Sequence, residues 1–214
     1  MMDEYAQDQE LEVKFFVEDL NAIEQRLVSA KATLIQPRTH EYNQRFDTTS
    51  GDLARGQRIL RLRRDTGTHL TYKGPTSNLG GVLARQEIEF EVSNFESAKK
   101  FVEALGYRAK FVYEKHRTTY EIDGLKVTLD EMPYGDFVEI EGPGATQIRE
   151  MSHNLGLDWN QSLPETYISI FRRMRELINL HFDDLTFENF EDVEVDMARF
   201  GIKPADVSVP AEQG

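Results

Sequence analysis

Apolar and polar residues alternate with a period of two at several places along the chain, first in Glu10-Leu11-Glu12-Val13-Lys14-Phe15. That spacing predicts a strand over 9–18. Over 19–32 the spacing becomes helical, with Leu20, Ile23 and Leu27 on one face and Asp19 or Asn21 able to cap the start. Strands are then predicted over 38–48, 58–65, 68–74 and 84–92. Asp65-Thr66-Gly67-Thr68 reads as a hairpin turn, and the stretch from Gly74 to Gly81 as a longer, flexible connection. A helix over 94–105 ends at Gly106. Three strands follow near 107–121, 125–132 and 136–142, separated by Asp123-Gly124 and Pro133-Tyr134-Gly135. The pattern therefore gives eight strands on mostly short connections, with helices after the first and the fifth.

Beyond Gly142 the character changes. A short helix is predicted over 145–156 and an amphipathic one over 164–181, opened by Pro164. A further helix over 185–200 would carry Glu188, Glu191, Asp192, Glu194 and Asp196 on a solvated face. The tail from Gly201 has no periodicity and is expected to be loose. This divides the chain into a domain over 1–182 and an acidic helix with a tail over 183–214.

The faces of the predicted strands are unusual. One face carries Glu10, Glu12 and Lys14; Arg61 and Arg63; Thr71 and Lys73; Arg85, Glu87, Glu89 and Glu91; Lys115 and Arg117; Lys126, Thr128 and Asp130; and Glu139 and Glu141. The other carries Leu11, Val13, Phe15, Leu60, Leu62, Ile88, Phe90, Val127, Leu129, Val138 and Ile140. The plain reading is an antiparallel sheet with its charged face in water. Two features oppose it. Like charges recur at i, i+2 (Glu10/Glu12, Arg61/Arg63, Lys115/Arg117, Glu139/Glu141), which costs energy unless a counter-ion lies between them. The helices also have apolar stripes that need a greasy surface to cover. Helices packed on the outside of a curved sheet would turn the charged faces inward.

Composition sharpens this. The 214-residue chain has a formal net charge of -13, which argues against a nucleic-acid or anionic-membrane surface. Cations concentrated at one place in such a chain are informative. There is no cysteine, so disulfides and thiolate metal sites are excluded, and a reducing cytoplasm fits. The acidic start, MMDEYAQDQE, is unlike a signal peptide, and no apolar run reaches the roughly 20 residues that span a bilayer. Charges withdrawn from water cost several kcal/mol each unless paired, so an ionic interior makes sense as a water-filled site for a charged ligand. A linear triphosphate, with about four negative charges, would suit paired Arg and Lys side chains. The carboxylates would then imply a hard divalent cation, Mg²⁺ or Mn²⁺, acting on the attacked phosphorus.

The ordered motifs carry a resemblance. Glu10-Leu11-Glu12-Val13-Lys14 resembles the Glu-x-Glu-x-Lys signature of the CYTH superfamily, the triphosphate tunnel metalloenzymes. Arg45-Phe46-Asp47-Thr48, Leu60-Arg61-Leu62-Arg63, Leu70-Thr71-Tyr72-Lys73-Gly74-Pro75, Arg85-Gln86-Glu87-Ile88-Glu89, Glu114-Lys115-His116-Arg117, Leu129-Asp130 and Gly135-Asp136-Phe137-Val138-Glu139-Ile140-Glu141 follow in the same order. Pro164-Glu165-Thr166-Tyr167 is similar to a Tyr-containing helix start near the family's C-terminus.

The resemblance implies an α+β fold, a closed eight-stranded antiparallel β-barrel or tunnel with helices packed outside. Lys14, Arg61, Arg63, Lys73, Lys115 and Arg117 would hold phosphate. Glu10, Glu12, Asp130, Glu139 and Glu141 would serve metal, directly or through water, and Glu87 and Glu89 would complete the acidic wall or orient the basic residues. Glu12, Lys14 and Asp130 would stand at the chemistry itself. Two departures are plain: Arg45 stands where the family often has Tyr, and the acidic segment 183–196 has no counterpart. The implied reactions are hydrolysis of inorganic, nucleoside or thiamine triphosphate by a triphosphatase, or cyclisation of ATP to cyclic AMP and pyrophosphate by a class IV adenylyl cyclase. The implied partner is a small-molecule triphosphate, with no nucleic acid or membrane, and the protein a monomer or homodimer.

Other signals fall away. The glycine-rich loop lacks the Gly-Lys-Ser/Thr ending of a P-loop. The five histidines show no zinc spacing, and His116, between Lys115 and Arg117, is expected on the apolar side. Tyr42 and Trp159 read as core or rim. The rivals are a non-catalytic polyphosphate-binding module and a structural sandwich with a salt-bridged outer face.

Overall fold

The computed structural model describes residues 9–79 and 82–206, with backbone alone at 9, 10 and 79. Nine strands form one sheet: β1 (Gln9–Val17), β2 (Thr33–Asp47), β3 (Ile59–Arg64), β4 (Thr68–Lys73), β5 (Ser77–Leu79), β6 (Val82–Glu91), β7 (Arg108–Ile122), β8 (Leu125–Met132) and β9 (Gly135–Glu141). The order is β1-β9-β8-β7-β2-β3-β4-β6, and β1 pairs with β6 to close a ring of eight antiparallel strands. The short β5 was expected as loop; it folds back as a hairpin on the first residues of β6, and the remaining loop glycines, 80 and 81, lie outside the described residues. Strand β2 begins five residues earlier than its predicted start, because 33–36 pair with the end of β7 across two register irregularities.

Turn chemistry helps to fix the register. Asp123 and Gly124 both take positive φ, 52° and 74°, as a two-residue hairpin turn requires, and Ile122 then faces Leu125.

The helices α1 (Leu20–Ser29), α2 (Asp52–Arg55), α3 (Phe95–Ala104), α4 (Ala145–Asn154) and α5 (Tyr167–Ile178) lie against this ring. Val13, Phe15, Val127, Val138 and Ile140, all on outward positions, pack with Ile23 and Leu27 of α1 and Ile148 and Met151 of α4. Val102 and Phe95 of α3 cover Leu62 and Phe46. The apolar faces thus point outward and the charged faces inward. Tyr42 and Trp159 belong to the outer packing, against Phe95 and Phe15. His116 stacks on Phe187, also outside.

At one end of the ring the inner positions turn apolar. Phe16, Met132, Phe137 and Tyr113 face inward there, and α5 packs on them through Tyr167, Phe171 and Met174. Thr166 caps α5 by accepting from the Ser169 N–H at 3.1 Å, so the helix starts after Thr166, and Pro164 precedes the cap instead of occupying the first turn. Residues 185–200 form no α-helix, contrary to their periodicity; two 3₁₀ turns, Glu188–Phe190 and Met197–Phe200, take its place. The polar side chains bond to nearby backbone instead. Asp184 accepts from the Val112 N–H at 2.8 Å, Asn189 donates to the Asp184 carbonyl at 2.8 Å, and Asp196 accepts from the Ala198 N–H at 3.0 Å. Leu185 exchanges backbone hydrogen bonds with Val112 and Glu114 of β7, while Leu185, Phe190, Met197 and Phe200 bury themselves beside α5. Asp206 accepts from the N–H groups of Glu18 and Asp19, which ties residue 206 to the entry of α1.

Among the described residues no helix is long and apolar enough to cross a membrane. Phe171 is wholly buried where α5 meets the inner wall. Phe171→Ala should therefore cost about 3–5 kcal/mol of stability, measured by guanidinium unfolding; a loss within error of zero would show that α5 does not anchor this end.

Candidate active site: an ionic cavity inside the ring

The ring encloses a cavity of about 550 Å³. Its wall holds nine Lys and Arg side chains and seven carboxylates, in a chain whose net charge is -13. Glu12, Lys14, Arg61, Arg63, Lys73, Glu87, Glu89, Lys115, Arg117, Glu139 and Glu141, each singled out in the sequence, all line it. The side chain of Glu10 lies outside the described residues.

Asp130, expected to serve metal, is not among the residues that line the cavity. It is fully buried behind the wall, and its oxygens are taken up by protein donors. Arg117 grips it with two bonds of 2.6 and 2.5 Å, Lys115 reaches it at 3.0 Å, and the Tyr167 hydroxyl donates at 2.7 Å. Asp130 thus orients two cations and the first residue of α5.

The register explains how so much charge is buried together. Lys14 lies opposite Glu139 and bonds it at 2.5 Å. Lys73 lies opposite Glu87, at 2.8 Å. Lys115 faces Glu41, at 3.6 Å, and Arg117 faces Asp130 and also contacts Glu139. Arg61 and Arg63 share Glu89 at 3.2 and 3.0 Å, with Thr71 donating to it at 2.6 Å. Cross-strand pairing of opposite charges therefore answers the i, i+2 repulsions along each strand. Two matches on the inner face break the rule: Glu12 lies opposite Glu141, and Arg45 opposite Arg61.

The electrostatics keep both sets ionised. Burial pushes Lys14 down, but Glu139, Glu12 and Asp130 together outweigh it and hold the ammonium above its usual range. Burial would raise Glu139, yet Lys14, Arg117 and Lys115 keep it well below the usual carboxylate range. Glu41 is likewise opposed by burial and is held down to about 2 by Lys115, Arg117, Arg63 and Arg61. Burial and Asp130 raise the Tyr167 phenol. Some polar atoms at or beside the wall remain without a hydrogen-bond partner among the described residues, including Glu41 Oε2, Arg61 Nε, Thr128 Oγ1 and both amide atoms of the fully buried Asn43. Unsatisfied buried groups are costly.

Glu41, Arg45 and Tyr113 were missed as site residues in the sequence. Glu41, Asn43 and Arg45 do alternate with Tyr42, Gln44 and Phe46, but the polar Asn43 and Gln44 on opposite faces blur the pattern. Tyr113 sits two residues before Lys115 on the same face, a legible spacing.

These features define an antiparallel strand ring built around an ionic cavity. The family model described as the CYTH domain matches residues 8–148, and the chain belongs to the CYTH family. It is 25% identical over 134 residues to a protein of Methanocaldococcus jannaschii named as a candidate adenylate cyclase, covering 62% of this chain and 75% of that protein. Solved structures that share the fold include the following three. A candidate adenylate cyclase from Vibrio parahaemolyticus aligns with a TM-score of 0.69 at 18% identity, over 76% of this chain and 97% of that one. A protein from Pyrococcus horikoshii aligns with a TM-score of 0.63 at 25% identity, over 75% and 98%. A candidate adenylyl cyclase from Hippeastrum, described as having a dominant triphosphatase activity, aligns with a TM-score of 0.57 at 18% identity, over 77% and 95%.

Glu41 offers a test of the wall. Its folded-state value of about 2 lies below the ordinary 4.5, so its stabilisation is complete above about pH 4.5 and is lost as the pH falls toward 2. Glu41→Gln should lower stability at pH 7 by on the order of 2–3 kcal/mol. It should also flatten the stability profile over that acid window. Urea unfolding at stepped pH reads both, and an unchanged acid slope would contradict the pairing.

Proposed function

We propose that the chain is a metal-dependent triphosphatase, in which water attacks a phosphorus of a linear triphosphate held in the ring. The observation that carries this reading is the wall itself: cations in excess over carboxylates, gathered in an acidic protein. The triphosphatase activity described for the Hippeastrum relative is consistent with it.

Phosphoryl transfer needs mainly positioning and charge stabilisation, and the side chains supply both. Arg61, Arg63 and Lys73 would take oxygens of one part of the triphosphate, and Lys14, Lys115 and Arg117 those of another. Arg61 reaches Glu89 at 3.2 Å and Glu87 at 3.8 Å, contacts with which a phosphate oxygen would compete. Lys14, kept protonated by Glu139, serves as a fixed positive charge against the charge that develops on the leaving oxygen. Asp130 and Tyr167 position this end of the set.

The residues also fit a hard divalent cation. No group of three carboxylates or histidines among the described residues converges tightly enough to hold a metal alone, but Mg²⁺ commonly takes one or two carboxylates with substrate oxygens and water. Glu12 and Glu141, opposite each other in register, would hold it, with Glu139 nearby on β9; Glu12 reaches Arg85 at 3.8 Å, and Glu141 pairs with Lys126, which the metal would displace. Bound there, Mg²⁺ or Mn²⁺ would neutralise phosphate charge and polarise the attacked phosphorus.

Hydrolysis is favoured over cyclisation because both aromatic rings on the wall are already engaged. Tyr167 lies under the ammonium groups of Lys14 and Lys115, at 4.3 and 5.5 Å, and Tyr113 stacks on Phe111. Neither is set out as a platform for a nucleobase.

The test is incubation with tripolyphosphate, ATP and thiamine triphosphate, with Mg²⁺ or Mn²⁺, while phosphate, pyrophosphate and cyclic AMP are followed. Phosphate release is expected; cyclic AMP with pyrophosphate would point to a cyclase, and binding without product to a non-catalytic module. Glu12→Gln and Glu141→Gln should each lower kcat by roughly 10²-fold or more with little change in thermal midpoint. Arg61→Ala should instead raise KM by roughly tenfold or more. Full activity in both carboxylate variants would remove the metal assignment.

A further inference from the structure

His40 and His116 lie opposite each other on the outer face of β2 and β7, away from the cavity. Their ring centres are 5.2 Å apart, and Phe187 packs on both, at 4.8 Å from His116 and 6.3 Å from His40. Two neutral imidazoles suit this packing. Two protonated ones would set like charges directly opposite across the strands, which repel, and would place the inner one against an apolar ring.

The charged groups around the pair do not fully answer a second proton. β7 supplies Glu114, whose Oε1 lies 3.6 Å from His40 Nε2 and whose Oε2 accepts from the Phe187 N–H at 3.2 Å. β8 supplies Glu131, opposite His116, but both its oxygens are taken by Arg38 of β2, at 2.6 and 2.8 Å. The Nδ1 of His116 is buried, with no hydrogen-bond partner among the described residues. His40, half exposed, can take a proton beside Glu114. His116 would then sit near two cations, His40 and Arg38. Burial, Arg38 and His40 hold its imidazole below the ordinary 6.5, despite Glu131 and Glu114.

Phe187 belongs to the stretch that joins β7 to the packing of α5. Leu185 exchanges backbone hydrogen bonds with Val112 and Glu114, and Asp184 accepts from the Val112 N–H. Three residues beyond Phe187, Phe190 packs on Phe171 of α5 at 5.9 Å. The same helix delivers Tyr167 to Asp130.

We propose that His40 and His116 form an acid-sensitive latch: when both are protonated, residues 184–190 lift from β7 and the seat of α5 loosens. The opening is local, and the ring of strands stays intact. Once the stretch lifts, His116 meets water and regains its ordinary value of 6.5, so the open state binds more protons than the closed one. The closed state therefore keeps its full advantage above about pH 6.5 and loses it as the pH falls below that value.

The experiment is hydrogen exchange of the full chain at about pH 7.5 and about pH 5.5, read by mass spectrometry and corrected for the intrinsic rate at each pH. The histidine ring protons are followed by NMR over the same range. Protection over 184–190 should fall by roughly fivefold or more at the lower pH, while protection over α1 changes by less than about twofold. His116 should titrate below 6.5. The double variant His40→Gln/His116→Phe keeps a ring against Phe187 and removes both charges, so its protection should hold at both pH values. His40→Gln/His116→Gln, which adds no bulk, should show the same pH independence. Unchanged protection in the wild-type chain, or an equal loss in both double variants, would overturn the latch. A loss spread evenly over the chain, α1 included, would also overturn it, as general acid unfolding. So would a His116 that titrates above 6.5, the result of a cation favoured by the Phe187 ring.

Discussion

Charge removed from water must be matched, and the inner face of this ring is built around that constraint. Sixteen ionisable side chains share one cavity wall, and isolated burial of each as a charge would cost several kcal/mol. The fold meets the cost through register. Because inward positions recur every second residue, one alignment of β1 with β9, β8 with β7 and β4 with β6 sets a row of cations against a row of carboxylates. A slip by one residue would turn every charge outward and every Val and Ile inward. The ionic interior and the apolar exterior are therefore a single specification.

Two matches on the inner face depart from that rule, Glu12 against Glu141 and Arg45 against Arg61. Third residues relieve them: Glu141 also lies opposite Lys126 and pairs with it, Glu12 reaches Arg85 at 3.8 Å, and Arg61 reaches Glu89 at 3.2 Å.

The C-terminal part covers one end of the ring as well as packing beside it. Inner positions at one end are aromatic or apolar, and α5 occupies them while delivering Tyr167 to Asp130. Through Asp130 this contact reaches Lys115 and Arg117, so the packing of a helix and the placement of two cavity cations are mechanically one event. Residues 185–206 hold α5 in place from outside with buried Leu185, Phe190, Met197 and Phe200.

The strands, the turns at Asp123-Gly124 and Pro133-Tyr134-Gly135, and nearly the whole inward set were legible in the sequence, because a period of two separates faces without any knowledge of neighbours. The amphipathic helices α1, α3, α4 and α5 were legible for the same reason at a period of 3.6. The segment 185–200 was not, since its helical spacing competed with Asp and Asn side chains that bond to local backbone, and with a strand edge on β7 that only the folded ring presents. Local pattern determined which residues share a face and what chemistry they bring. Only the tertiary structure decided which of them meet across strands: that Asp130 is consumed by Arg117, Lys115 and Tyr167, that Glu41 joins the wall, and that Arg45 is left beside Arg61. Those outcomes depend on register and ring closure between segments far apart in the chain, and pairwise electrostatics act on distance in space, which periodicity along the sequence does not encode.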